Sequence, residues 1–140
     1  MIYLDTSFIV SLYLNDGHSP EARERIVSAP PLCFTPLHGA EWAHAIGQQV
    51  FRGELSLSES QRMTARLEEH VAHGRWMPVP IPEGAFELCG DLARRHGPKM
   101  AMGTLDTMHV ACALELKAER FWTFDERQAK LAKATGLKAS

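Results

Sequence analysis

Short apolar runs alternate with longer helical segments along the whole sequence, and this alternation limits the fold more than any other feature. Strands or extended segments are predicted at residues 2–4, 32–35, 76–81 and 121–124. Helices are predicted at residues 8–14, 19–27, 37–51, 58–74, 83–96, 105–116 and 125–136. Such alternation is typical of an α/β sandwich of three layers, in which helices cover both faces of a mainly parallel sheet.

The limits of several helices are indicated by capping patterns. Ser58 and Gln61 have the spacing of a capping box, and so do Asp125 and Gln128. Gly97-Pro98 is expected to end the helix over residues 83–96. The helix over residues 105–116 is apolar on nearly every face, so we expect it to be packed on several sides.

Length and composition indicate one globular domain spanning residues 1–140. The chain is 45% hydrophobic, which suffices for a sizeable core, and it contains no linker or internal repeat. Its three cysteines have no close pairing, so neither a disulfide framework nor a zinc knuckle is expected, and a reducing cytoplasm fits best. No apolar run approaches the roughly 18 residues of a membrane span, so we expect no membrane association.

Four acidic residues occupy equivalent places in this alternation. Asp5 and Asp125 each follow a predicted strand directly. Asp106 lies in the first turn of the apolar helix, and Glu41 lies near the start of the helix after the second strand. Ligands of open α/β sheets gather at the carboxyl ends of strands, so these four acids are the candidates for a functional site.

Each acid also has a structural interpretation. Asp5 and Asp125 are suited to cap the helices that follow them, and Glu41 shares a helix face with polar residues, as a solvated side chain would. Asp106 is harder to explain in this way. A charge beside a helix that buries most of its circumference needs a partner, and a cation supplies one.

Four carboxylates together favour a magnesium or manganese site for phosphodiester hydrolysis. These hard cations take oxygen ligands, activate a water and neutralise charge on phosphate. The seven histidines form neither an HxH nor an HExxH pattern, so the sequence gives no support for zinc.

The segments that carry these acids resemble the four acidic motifs of PIN domains. They are LDTS at residues 4–7, TPLHGAE at 35–41, LDTMHVA at 105–111 and FWTFD at 121–125. The order and spacing match over nearly the whole chain. The resemblance implies a parallel sheet with helices on both faces, and a Mg²⁺- or Mn²⁺-dependent endoribonuclease. For a domain of this length it implies a toxin of the VapC type, with an RNA substrate, a VapB-like antitoxin that binds DNA, and a homodimer.

Carried over residue by residue, the resemblance assigns Asp5 and Asp106 to the metal, with Glu41 and Asp125 completing an acidic catalytic pocket. Thr6 and Thr123 match hydroxyl positions that orient a carboxylate or a water. The residues after the third acid, Thr107-Met108-His109, depart from the small and aliphatic residues expected there, which affects the shape of the pocket. For His109 both a phosphate contact and a structural role stay open.

Net charge does not decide for or against nucleic acid. The chain has a net charge of −2, but the 15 lysines and arginines outnumber the acids outside the predicted site. A basic run at Arg94, Arg95, His96 and Lys99 is either a solvated helix end or a guide for RNA.

Two alternative functions remain: an RNA-processing PIN nuclease that is not a toxin, and a catalytically silent binding module of the same fold.

Overall fold

The computed structural model describes all 140 residues and has the predicted α/β composition. Its five short strands are β1 (Ile2–Leu4), β2 (Leu32–Phe34), β3 (Trp76–Pro78), β4 (Arg120–Trp122) and β5 (Lys138–Ala139). Its seven helices are α1 (Thr6–Tyr13), α2 (Ser19–Val27), α3 (Pro36–Phe51), α4 (Leu57–Ala72), α5 (Ala85–Met100), α6 (Thr104–Glu115) and α7 (Glu126–Ala134).

The strands form two sheets, and every strand pair in them is parallel. One sheet has the order β1-β4-β5, with Tyr3 opposite Phe121. The other sheet consists of β2 and β3, with Cys33 opposite Met77. The predicted α/β class with parallel strands is confirmed. The chain divides into two compact units, Met1–Ile9 with Ile81–Ser140 and, separately, Val10–Pro80.

The unit of Met1–Ile9 and Ile81–Ser140 is built around α6. Every residue of this helix from Thr107 to Ala113 is buried, which confirms that the apolar helix packs on several sides. The ring of Tyr3 stacks on that of Phe121 with centroids 5.8 Å apart, and the ring of Phe8 stacks on that of Phe124 at 4.9 Å. These contacts fix the carboxyl ends of β1 and β4 side by side.

The unit of Val10–Pro80 is held together by aromatic residues with polar atoms. Trp76 donates from its indole nitrogen to the Tyr13 hydroxyl at 2.8 Å, and Tyr13 Oη lies 2.7 Å from His70 Nδ1. Trp42 of α3 donates to Thr64 Oγ1 of α4 at 3.1 Å. Each of these bonds satisfies a polar atom that packing has removed from water.

Three local predictions were wrong. The capping box of α4 is formed by Ser56 and Glu59, two residues before the predicted pair. Helix α5 continues through Pro98 to Met100 and ends at Ala101 in the left-handed conformation, because a proline in the last turn removes only one backbone donor. Strand β5 was not predicted, since two residues are too few to form a periodic pattern.

No helix combines the length and the apolar character needed to span a membrane. The three cysteines are buried, and none forms a disulfide, as predicted.

Candidate metal centre and active site

Asp5 is a buried carboxylate at the carboxyl end of β1. Its side chain is 2% exposed, and its backbone N–H continues the β1–β4 ladder by donating to the Trp122 carbonyl at 3.0 Å. Oδ1 accepts a hydrogen bond from the backbone N–H of Phe8 at 3.0 Å, and Oδ2 accepts one from Ser7 Oγ at 2.5 Å. Asp5 therefore does cap α1, as one of its two interpretations required.

Asp5 is more deeply buried than a helix-capping role requires, and this burial affects its pKa. Burial raises the pKa of Asp5 above its ordinary value, although hydrogen bonds from Ser7, Phe8 and Thr123 and the nearby His109 oppose this rise. No lysine or arginine is among the groups that lower its pKa. Burial disfavours the ionised form of this carboxylate, and a bound cation would offset that cost, so the position suits a metal ligand.

Asp125 is the second acid of this edge and caps α7. Its Oδ1 accepts from the backbone N–H groups of Arg127 at 2.7 Å and Gln128 at 3.1 Å. Partial burial acts to raise the pKa of Asp125, but these two hydrogen bonds together with the Arg127 guanidinium, 3.5 Å from Oδ2, outweigh it, and the pKa lies below its usual value. Asp125 is therefore held ionised, which agrees with both the capping and the metal interpretations.

Thr123 connects the first two acids. Its side chain is 5% exposed and lies close enough to the carboxylate of Asp5 to oppose the rise in that pKa. Its Oγ1 accepts a hydrogen bond from the backbone N–H of Asp125 at 2.9 Å. Thr123 is therefore placed between the two acids, and the orienting role that the resemblance implies for it stays a prediction.

Asp106 lies in the first turn of α6 and accepts a hydrogen bond on one of its two oxygens. Oδ1 accepts a hydrogen bond from Nε2 of Gln128 at 2.9 Å. Oδ2 lies so close to Gly103 that a Cβ atom at this glycine would be 3.1 Å from it. The absence of a side chain at Gly103 therefore leaves room for the carboxylate.

Together these bonds join Asp125 and Asp106 in one continuous chain of hydrogen bonds, and Asp5 lies beside that chain within the same compact unit. The chain runs through Thr123, Asp125, Gln128 and Asp106, and Asp5 adjoins it at Thr123. Asp5 and Thr123 follow the ends of β1 and β4, and the other residues lie at the starts of α6 and α7.

The other predicted residues are placed differently. Glu41 is half-buried on α3, in the unit of Val10–Pro80. Thr6 Oγ1 lies 3.2 Å from Nε2 of His109, and Nδ1 of the same ring lies 3.0 Å from the Tyr3 hydroxyl. With 1% exposure and both ring nitrogens engaged, His109 has a structural role, which decides between its two interpretations.

The donor atoms fit a hard divalent cation. Carboxylate and hydroxyl oxygens line this edge of the sheet, and no thiol takes part in the chain of hydrogen bonds, as Mg²⁺ and Mn²⁺ prefer. No group of three or more His, Cys, Asp or Glu side chains is arranged to hold an ion in this structure.

The basic run on α5 is mostly solvated. Arg94 pairs with Asp91 one turn earlier, while Arg95 and Lys99 are exposed.

Gln128 and Gly103 are the two residues of the candidate site that sequence reasoning missed. Gln128 follows the fourth acid by three residues, a spacing that capping already explained, and a glycine before a helix is too common to signal a site.

Comparisons with known proteins agree with this architecture. Residues 2–134 match the model of the PIN domain family. The chain is 27% identical over 138 residues to Ribonuclease VapC46 of Mycobacterium tuberculosis, which covers 97% of this chain and 93% of the relative.

Three solved structures share the fold at low identity. VapC20 of Mycobacterium tuberculosis, a sarcin-ricin loop cleaving toxin, has a TM-score of 0.70 at 16% identity and covers 98% of this chain and 96% of its own. VapBC2 of Rickettsia felis, bound to a DNA fragment from its promoter, has a TM-score of 0.69 at 14% identity and covers 100% of this chain and 98% of its own. FitAcB of Neisseria gonorrhoeae has a TM-score of 0.73 at 18% identity and covers 99% of this chain and 96% of its own. Since the family model spans nearly the whole sequence, this chain belongs to the PIN domain family.

Proposed function

We propose that this chain is a Mg²⁺- or Mn²⁺-dependent endoribonuclease and the toxin of a VapBC-like toxin–antitoxin pair. The observation that carries the proposal is the carboxylate of Asp5, which is buried without a lysine or arginine partner and is linked through Thr123 to a second acid. The ribonuclease named VapC46, similar over nearly the full length of both chains, supports the choice of substrate class.

The residues of the site divide the work as follows. Asp5 and Asp106 would hold the cation with Asp125 beside them, and the resemblance to PIN domains assigns Glu41 to the same acidic pocket. A bound Mg²⁺ or Mn²⁺ supplies an activated water and neutralises negative charge on the scissile phosphate. Thr123 orients the carboxylate of Asp5, and its bond to the N–H of Asp125 keeps the two acids in register. Arg95 and Lys99 offer exposed positive charge for the RNA backbone.

The antitoxin is the proposed protein partner. The unit of Val10–Pro80 contains a cavity of about 650 Å³ whose lining is basic and aromatic. Its lining includes Tyr13, Arg23, Arg66, His70, Arg75 and Trp76. Such a lining suits a polypeptide segment with acidic and apolar side chains. We further propose that the protein is a cytoplasmic homodimer and that residues 1–140 act as one domain. The single family model that spans both compact units supports the one-domain organisation.

Metal-dependent cleavage is tested with the purified chain, total bacterial RNA and a panel of structured RNA oligonucleotides. The protein is stripped with EDTA and then assayed with Mg²⁺, Mn²⁺ or Zn²⁺ restored. We expect cleavage to stop on chelation and to return with Mg²⁺ or Mn²⁺, because the donor set is all oxygen.

Two variants separate the proposed site from a contaminating nuclease. Asp5→Asn should lower the cleavage rate at least about 100-fold while the fold stays intact. Asp91→Asn, a matched change at an exposed ion pair of α5, should cleave like the parent. Activity that survives EDTA, or an Asp5→Asn protein that cleaves normally, would rule out the metal site. A folded parent that binds Mn²⁺ but cleaves no RNA would instead favour the binding module.

A further inference from the structure

Gln128 is the one buried amide that joins two of the predicted site acids. Its side chain is 4% exposed, and its Nε2 donates to Oδ1 of Asp106 at 2.9 Å. Its backbone N–H donates to Oδ1 of Asp125 at 3.1 Å. A single residue in the first turn of α7 therefore contacts the acid of α6 and the acid that caps its own helix.

The sequence pattern suggested a different task for this side chain. In a capping box the side-chain oxygen of Gln128 would accept a hydrogen bond from the backbone N–H of Asp125. That N–H instead donates to Thr123 Oγ1 at 2.9 Å, so the cap is complete without the glutamine side chain. The amide extends to Asp106 because it is not required at the cap.

The stability of the fold alone does not account for a glutamine here. Its Oε1 is buried and accepts no hydrogen bond from the protein, which is unfavourable for folding. An apolar side chain of the same length would fill the space without that penalty. What the glutamine adds is an N–H donor to Oδ1 of Asp106, whose other oxygen is bounded by Gly103.

We propose that Gln128 is a positioning residue that holds the carboxylate of Asp106 in the orientation required to bind a divalent cation. This inference rests on the proposed metal-dependent function and adds a residue to its site. A donor on one oxygen fixes the rotation of the carboxylate while the remaining lone pairs stay available to the ion. Bonds of this kind to metal ligands commonly change metal affinity 10- to 100-fold.

The test compares Gln128→Met, which keeps the length of the side chain and removes its polar atoms, with Gln48→Met at an exposed glutamine of α3. Mn²⁺ binding is measured by titration of the free-ion EPR signal, and melting temperature is measured in EDTA. We expect Gln128→Met to bind Mn²⁺ about 10-fold more weakly than the parent. Its metal-free melting temperature should stay within about 3 °C, because the orphaned oxygen is lost together with the donor. Gln48→Met should match the parent in both measurements.

Each outcome distinguishes the two levels of the proposal. If the parent and Gln48→Met bind Mn²⁺ and Gln128→Met binds equally tightly, Gln128 is structural and the inference fails while the proposed function stands. If the parent itself binds no Mn²⁺, both fail. Should Gln128→Met not fold, Gln128→Asn takes its place, since it keeps a buried amide but shortens the reach to Asp106 by one methylene. Weaker Mn²⁺ binding by a folded Gln128→Asn protein supports the proposal, and unchanged binding overturns it.

Discussion

The backbone N–H of Asp125 donates to Oγ1 of Thr123 at 2.9 Å, and the same threonine lies close enough to the carboxylate of Asp5 to oppose the rise in its pKa. Thr123 is therefore placed between the acid that follows β1 and the acid that caps α7. A role for Thr123 in positioning Asp5 can be tested without altering either acid.

Thr123→Val keeps the shape of the side chain and removes its hydroxyl group. We expect cleavage to fall about 10-fold, because Asp5 loses an orienting partner. The free energy of unfolding should fall by about 1–2 kcal/mol, since a buried N–H of Asp125 loses its acceptor. Thr123→Ser retains the hydroxyl and serves as the control. Steady-state cleavage of an RNA oligonucleotide and thermal melts measure both effects, and a valine protein as active as the serine protein would exclude the linking role.

The stability of the metal-free protein should depend on pH through Asp5. Since burial raises its pKa, the folded state binds more protons than the unfolded state between the unfolded pKa, about 3.9, and the folded one. Stability therefore decreases as pH rises through this window and stays reduced above it. Asp5→Asn removes the effect, so in EDTA it should melt above the parent at pH 7 and together with it below about pH 4.

Melting the parent and Asp5→Asn with Mn²⁺ in place of EDTA tests whether Asp5 binds the ion. Mn²⁺ should raise the melting temperature of the parent, because an ion that binds only the folded state stabilises it. The melting temperature of Asp5→Asn should not change on addition of Mn²⁺. The depressed pKa of Asp125 acts in the opposite direction but is common to both proteins. A pH-independent difference between the two proteins would contradict the assignment to Asp5.

Asp125 combines a cap with a proposed site role, and two substitutions separate them. Asp125→Asn keeps an acceptor for the N–H groups of Arg127 and Gln128, so stability should change little while activity falls moderately. Asp125→Ala should lose about 1 kcal/mol of stability as well. Urea unfolding and cleavage rates are compared. Equal activity in Asp125→Asn and the parent would show that Asp125 caps α7 and has no role in cleavage.

Asp106→Asn should abolish cleavage without destabilising the metal-free protein. The first turn of α6 keeps its backbone bonds, such as that from the N–H of Thr107 to the Gly103 carbonyl at 3.1 Å, and a neutral amide relieves repulsion within the acidic pocket. The melting temperature in EDTA should be equal to or above that of the parent. A marked fall would instead assign Asp106 a structural task.

The sequence predicted the placement of the acids well, because strand ends and helix starts are defined by local patterns. Asp5, Asp106 and Asp125 all lie at such ends, and the cap formed by Asp125 was predicted from its own side chain. The partner of Gln128 could not be predicted. Whether its amide turns to the cap or to Asp106 depends on Thr123 having already satisfied the N–H of Asp125, a contact that appears only after folding.

The predicted end of helix α5 was wrong because two local signals competed there. Pro98 favours an end to α5, yet the helix continues to Met100, and the left-handed Ala101 ends it instead. Strand β5 pairs with β4 through only two residues, and that pairing exists because β4 offers a free edge, which no local pattern records.

The pairing of β1 with β4 has a consequence for synthesis. Ile2 is synthesised well before its parallel partner Arg120 and the acid Asp125. Contacts between such distant segments form late, since loop closure must precede them. In a growing chain the proposed site is therefore incomplete until the strand near residue 120 has been made and has paired with β1.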